Sequence, residues 1–180
     1  MHEKKVIREL YISQLKNKGV PKELFLRLPK DFKHLLRKKG PKYVLTDAAR
    51  KKIKVVLTGG IFDVIHMGHI FTLRKAREKG DVLVAVVGKD SLIIEKKKRK
   101  PIHSQDYRVM MVEFMKPVDV ALMGSRNMTT TLKKVKPNVI VYGPDQESLL
   151  KPKGVKVIKL KKLLDPKKFK TTYIIKKLGL

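Results

Sequence analysis

Five short apolar runs, at residues 54–58, 82–87, 118–123, 138–142 and 155–160, recur through the last two thirds of the chain. Each is rich in β-branched residues and nearly continuous in apolar character, as strands covered on both faces require. Helical spacing fills the intervals. Ile70, Leu73 and Ala76 share a face after the first run, and Gly80 is placed to end that helix. Ser104 is an N-cap for a second helix running to about Met115, with Val109, Val112 and Met115 inward. A third, over 129–135, ends before Pro137, and a last one begins near Thr171 or Thr172 and reaches Lys177. This alternation predicts an α/β fold: a Rossmann-like, doubly wound parallel sheet of about five strands with right-handed crossovers. Ligands then bind at the carboxyl ends of the strands, where strand order reverses.

Residues 1–51 read differently. Val6, Leu10, Ile12 and Leu15 mark one helical face, while Gly19, Pro21, Pro29, Gly40 and Pro41 break the segment into short lengths. The expectation is a short N-terminal helical extension over 1–51, an appendage to a domain over 52–180. Such an appendage offers a surface for a homodimer or another partner.

With 180 residues and 42% hydrophobic content, one well-packed domain plus an extension is what the chain can build. No apolar run approaches a membrane span and the first residues are charged, so the expected location is the cytoplasm, with no membrane partner. The absence of cysteine removes disulfides, thiolate metal sites and cysteine nucleophiles. Charge changes the picture more. Forty-four Lys and Arg against sixteen Asp and Glu give +28, a field that draws polyanions of any kind. Two readings of it stay open: a Lys-rich stabilising surface carrying residues such as Lys159, Lys161 and Lys162, or a nucleic-acid-binding face.

The candidate chemistry follows the first predicted strand, in Thr58-Gly59-Gly60-Ile61-Phe62-Asp63-Val64-Ile65-His66-Met67-Gly68-His69. The two glycines permit a tight turn and close approach of a ligand to the backbone. The next helix opens near Gly68, so its free N–H groups and positive dipole end face the same crevice. His66 and His69, three apart, share a face of its first turn. Such an arrangement suits a triphosphate whose α-phosphoryl group gains charge during transfer. A metal-binding pair or a helix-capping pair is the plainer alternative, but a third zinc ligand at suitable spacing is missing, His103 being the nearest histidine. The phosphate-loop lysine motif and the dinucleotide glycine triplet are absent, which argues against a kinase or dehydrogenase.

The segment from Gly60 to His69 resembles the first signature of the HxGH nucleotidyltransferases, the cytidylyltransferase-like superfamily. The similarity extends over about residues 53–178. Gly88-Lys89-Asp90, the basic run from Lys96 to Lys100 and Asp106-Tyr107-Arg108 resemble that superfamily's basic loop and its helix-borne arginine. Tyr142-Gly143-Pro144-Asp145-Gln146 resembles a turn of the archaeal FAD-synthase-like branch, and Thr171-Thr172-Tyr173 a weakened second signature. The resemblance implies a nucleotidyltransferase that moves CMP or AMP from CTP or ATP onto the phosphate of a small acceptor, releasing pyrophosphate by in-line transfer. FMN adenylylation and glycerol-3-phosphate cytidylylation are the candidate reactions, and Mg2+ held by the triphosphate is the expected cofactor, with no metal site of the protein's own.

On the same resemblance, His66, His69, Lys97 and Arg108 are the expected catalytic residues. Thr58, Gly59, Gly60, Ile61, Phe62, Gly68, Asp145, Thr171 and Thr172 would bind the nucleotide; Asp63, Lys89 and Arg108 would bind the acceptor. A mobile lysine loop would neutralise the departing pyrophosphate, and Arg108 would grip a phosphate in bidentate fashion. Two departures stand out: Tyr173 replaces a basic residue common in the second signature, and the cysteines frequent near the C-terminus of the FAD-synthase-like branch are missing. The competing class is a non-catalytic nucleic-acid-binding protein on the same fold, although an aromatic content of 6% leaves few rings for base stacking.

Overall fold

The computed structural model describes residues 2–125, 127–146, 150–161 and 171–179. Its first 51 residues form α1 (Glu3–Lys16), α2 (Lys22–Arg27), α3 (Lys30–Lys33), an antiparallel hairpin of β1 (Leu36–Lys39) and β2 (Lys42–Leu45), and α4 (Asp47–Lys51). The hairpin corrects the all-helical expectation. Lys39 pairs with Lys42 across a two-residue turn that begins at Gly40 with φ 58°, a backbone angle glycine adopts without strain. Strand β1 reads Leu-Arg-Lys-Lys, and its run of charges hid the alternation.

The remainder alternates strand and helix: β3 (Val55–Gly60), α5 (Met67–Arg77), β4 (Val82–Val87), α6 (Asp90–Lys97), α7 (Gln105–Glu113), β5 (Val120–Met123), α8 (Met128–Val135), β6 (Val139–Tyr142), β7 (Lys156–Lys159) and α9 (Thr171–Leu178). The five strands form one parallel sheet in the order β5-β4-β3-β6-β7, matching the predicted architecture. The order reverses between β3 and β6, the strands that precede the two turns singled out above. Ser104 caps α7 through Tyr107 N as expected. Gly80, by contrast, does not end α5 through a left-handed turn. A Cβ there would lie 2.6 Å from the Lys54 carbonyl oxygen, so glycine is needed for close approach.

Why each strand reads as a continuous apolar run becomes clear from its two faces. Val56, Leu83, Ala85, Val87, Val139 and Val141 pack against Leu73 and Ala76 of α5 and Val112 of α7. The alternate set, Val55, Leu57, Val82, Val84, Val86, Val120 and Ile140, joins one cluster with Ile7, Leu10, Tyr11 and Leu15 of α1. Residues 1–51 are therefore no appendage. They are a covering layer of the sheet, tied down where the Tyr11 hydroxyl donates to Val135 O at 2.6 Å and Arg8 donates to Asp81 O at 3.1 Å. The edge strands depart from the expected two-sided burial: β7 is partly exposed throughout, and β5 is exposed at Met123.

Burial of α1 leads to a stability prediction. Leu10 is 2% exposed, and Leu10→Ala should cost about 2–5 kcal/mol in chemical denaturation. Leu26→Ala, at a position 60% exposed on α2, should cost within ~0.5 kcal/mol. Equal effects would mean that α1 does not carry that face of the sheet.

Candidate active site

Beyond β3 the chain turns sharply through Gly60, Ile61 and Phe62. Phe62 is buried yet sits at φ 54°, an uncommon angle for a bulky side chain. Its ring lies beneath Gly60, where a Cβ would meet it at 2.8 Å, and 4.9 Å from the His69 ring. The pair Gly60 and Phe62 thus acts as a unit: glycine leaves the space that the ring fills, and the ring backs His69.

His66 is the N-cap of α5. Its backbone is extended, and its Nδ1 accepts a hydrogen bond from Gly68 N at 3.1 Å. That bond fixes the tautomer, since an accepting Nδ1 leaves the proton of the neutral ring on Nε2. The His66 and His69 rings stack at 3.9 Å, 29° from parallel. Burial, followed by the neighbouring His66, holds the His69 imidazole neutral down to about pH 3. His66 is also pushed below its usual range, by burial and against the pull of Asp145. Two neutral imidazoles therefore face one crevice, and the buried Nδ1 of His69 has no partner among the described residues. Asp145, in the turn after β6, is exposed and close enough to act on His66 across the switch point.

Several hydrogen bonds hold the rim. Gln146 accepts from Gly143 N at 2.8 Å and donates to Gly59 O at 2.5 Å, bracing the turn after β6 against the end of β3. Gly88 N donates to Gly60 O at 2.8 Å, which sets Lys89, the N-cap of α6, beside the turn. Gln105 donates to Val87 O and Gly124 O at the ends of β4 and β5. The bracing role of Gln146 and the part played by Gln105 carried no signal in the sequence, because an isolated glutamine has no pattern to read.

Gly59, Gly60, Ile61, His66, Gly68, His69 and Asp145 thus gather where β3 ends and α5 opens, with Phe62 buried behind them, but four expected roles need correction. The Thr58 hydroxyl donates to Val141 O at 2.8 Å within the sheet and is not free for a nucleotide. Asp63 does not face an acceptor. Its fully buried carboxylate accepts from Ile102 N at 2.9 Å and His103 N at 3.2 Å and pairs with Arg99 at 2.6 Å. Arg108 is wholly buried, donating to His103 O at 3.0 Å, to Ile61 O, and to Asp90 at 2.5 Å; it is a strut behind the turn, not a phosphate clamp. The lysine run is no loop at its start. Lys96 and Lys97 are the last turn of α6, and Lys98 ends it in the left-handed conformation. Seven residues of helix put Lys97 ~10 Å along α6 from Asp90. Thr171 and Thr172 open α9, but their side chains lie outside the described residues.

A parallel sheet with two imidazoles on a helix N-terminus at its switch point is an arrangement suited to a phosphorylated ligand. Comparison with known proteins agrees. Residues 57–177 match the model of the cytidylyltransferase-like family, and the chain belongs to that family. It is a nucleotidyltransferase. It is 44% identical over 120 residues to the FAD synthase of Aciduliprofundum boonei, spanning 61% of this chain and 80% of that protein. The FAD synthase of Pyrococcus abyssi is 36% identical over 142 residues, 73% of this chain and 95% of its own. Among solved structures, the lipopolysaccharide core biosynthesis protein of Thermoplasma volcanium is similar at 32% identity and a TM-score of 0.57, over 62% of this chain and 98% of that one.

The histidine pair sets an acid limit on stability. The unfolded chain protonates histidine near pH 6.5, whereas folded His69 resists to about pH 3. As pH falls below about 6.5 the unfolded state takes up a proton that the native state refuses, so stability is lost from there toward pH 3, at up to ~1.4 kcal/mol per pH unit for one such group. His69→Gln should flatten this dependence in urea titrations between those limits. An unchanged slope would show that the imidazole is not held neutral by its site.

Proposed function

We propose that this nucleotidyltransferase adenylylates FMN, transferring AMP from ATP. The carrying observation is the stacked, neutral pair His66 and His69 at the N-terminus of α5. An FMN phosphate oxygen attacks the α-phosphorus of ATP; that P–O bond forms as the bond to the bridging oxygen of the β-phosphate breaks, and pyrophosphate leaves. The attacking oxygen is already anionic at neutral pH, so no general base is required. The Nε2–H of His66 donates to the α-phosphoryl oxygens as charge develops there, with His69 beside it. Gly59, Gly60 and Ile61 offer backbone to the nucleotide, Gly68 the opening turn of α5, and Asp145 a carboxylate for ribose or base. Lys89 lies at the rim for the acceptor, while Lys97, on the exposed end of α6, reaches phosphate only if its long side chain folds back.

Support for FMN and ATP comes from the similarity to archaeal FAD synthases, FAD being FMN joined to AMP. Magnesium fits this donor set as an ion carried by the triphosphate. Among the described residues the site offers imidazoles, amides and the carboxylate of Asp145, whereas Mg2+ prefers oxygen ligands and phosphate. A cytoplasmic location is the corresponding proposal for where the reaction runs; no described helix is long and apolar enough to cross a membrane.

Purified protein given Mg2+, ATP and FMN should release pyrophosphate and form FAD, in preference to CTP with glycerol 3-phosphate. No pyrophosphate with any nucleotide and acceptor pair would sink the proposal. His66→Asn retains an N-cap acceptor and should fold normally, yet it and His69→Ala should lower kcat by ~100-fold or more with a smaller change in KM for ATP. Near-normal turnover in both variants would remove the histidines from the mechanism.

A further inference from the structure

A recess of about 240 Å³ opens between the N-terminal layer and the end of α8. Hydrogen bonds fix its floor. The Tyr11 hydroxyl donates to Val135 O, Gln14 accepts from Leu45 N at 2.8 Å, and Arg50 donates to Lys136 O at 2.5 Å and to Asn138 at 3.1 Å. Asn138 in turn accepts from Val55 N at 2.8 Å, where β3 begins. The recess therefore lies at the amino ends of the strands, and the histidine crevice at their carboxyl ends.

Its walls are basic. Arg37 and Lys39, two apart on β1, share one face of the hairpin, while Lys133, Lys134 and Lys136 come from the last turn of α8 and the residue that ends it. All five are exposed, and none pairs with a carboxylate among the described residues. Asp47 is the one acid among the residues that line the recess. Partial burial, and after it the charge of Lys18, hold the Lys134 ammonium below its ordinary basicity. Lysines at a helix C-terminus are ordinarily explained by its negative end. Here Tyr11 and Arg50 already occupy the Val135 and Lys136 carbonyls, and the dipole of α8 does not account for Arg37 and Lys39 on the facing strand. Cations gathered in this way repel one another, and a bound anion relieves the repulsion.

We propose that this recess is a second ligand site, for a small anion carrying two or more phosphate groups, separate from the catalytic crevice and independent of which nucleotide and acceptor the enzyme uses. A single phosphate brings about two negative charges near neutral pH, too few for these unpaired cations. The volume lies below the ~300 Å³ at which pockets for drug-sized molecules begin. Tyr11 is the one aromatic residue in the lining, and the Arg50 guanidinium already covers it at 5.0 Å from the ring centroid, so no ring there is free to stack a nucleobase. A short polyphosphate is what remains.

Lysine modification tests the site by position. With a water-soluble acetylating reagent and peptide mass spectrometry of the full-length protein, inorganic triphosphate should protect Lys39, Lys133, Lys134 and Lys136, about tenfold when it stands at about ten times its Kd. Lys79 and Lys116, which follow α5 and α7 on the other face of the sheet, should react at an unchanged rate. Sulfate at equal ionic strength should protect none of these lysines. Lys133→Gln with Lys134→Gln should abolish the protection of Lys39 and Lys136 with an unchanged circular dichroism spectrum, whereas Lys79→Gln with Lys116→Gln, which removes as much charge, should leave it intact. Equal protection of every lysine followed, or protection by sulfate as strong as by triphosphate, means charge screening only and overturns the proposal. Protection by a single-stranded RNA oligonucleotide and not by triphosphate overturns it as well, assigning the face to nucleic acid. No turnover is read, so these outcomes stand apart from the fate of His66 and His69 in the proposed reaction.

Discussion

The hydrogen bond from Gly68 N to His66 Nδ1 is the constraint on which the active crevice depends. It closes the first turn of α5, and in the same act it decides which ring nitrogen carries the proton. A serine or aspartate cap would stabilise the helix equally well, but would leave no second donor pointing outward. One side chain can thus serve both ends, with Nδ1 taken by the fold and Nε2 carrying the proton that the proposed reaction would use. His69 depends on this arrangement in turn, because the ring stacked on it and the Phe62 ring behind it remove the water that would favour its protonated form.

Behind the turn, a second layer holds the backbone in place. Asp63 gathers the N–H groups of Ile102 and His103, and Arg108 ties His103 O, Ile61 O and Asp90 together. Both are charged and buried, and each is satisfied by partners from separate segments. Removing Asp63 or Arg108 would leave buried backbone groups without their partners, so these two residues act through the position of Ile61 and Phe62. A residue of this kind looks catalytic in a sequence because it is charged and close to the motif. Exposure separates it from His66 and Asp145, which face the crevice.

That distinction explains what could be read before the fold was seen. The inner strands β3, β4 and β6 were legible because both of their faces are buried, which writes an unbroken apolar run; the helices α5, α7 and α8 were legible by spacing and caps. The hairpin was not, since Arg37, Lys38 and Lys39 break its alternation, and α6 was hidden because its last residues, Lys96 and Lys97, merge into the basic run that ends at Lys100. The covering role of residues 1–51 was invisible for another reason. Apolar spacing shows that α1 has a buried face but not what it is buried against, and only the cluster of Ile7, Leu10 and Tyr11 with Val55, Val84 and Val120 reveals the partner. In the site, the His66 and His69 pair was legible from its junction of strand, turn and helix, whereas the fates of Thr58, Asp63 and Arg108 depend on contacts far apart in sequence.

Net charge and site chemistry also divide the work between them. The +28 field raises the local concentration of any polyphosphate, but exposed lysines are screened beyond about 8 Å at physiological ionic strength and bind reactant, product and bystander alike. Selective acceleration needs groups that gain more from the transition state than from bound substrate. A neutral imidazole meets that need better than a lysine at the same place. It binds a ground-state phosphate weakly, costs little to bury, and strengthens its hydrogen bond as negative charge accumulates on the α-phosphoryl oxygens. In the proposed reaction, the burial that lowers the basicity of His66 and His69 would serve this step.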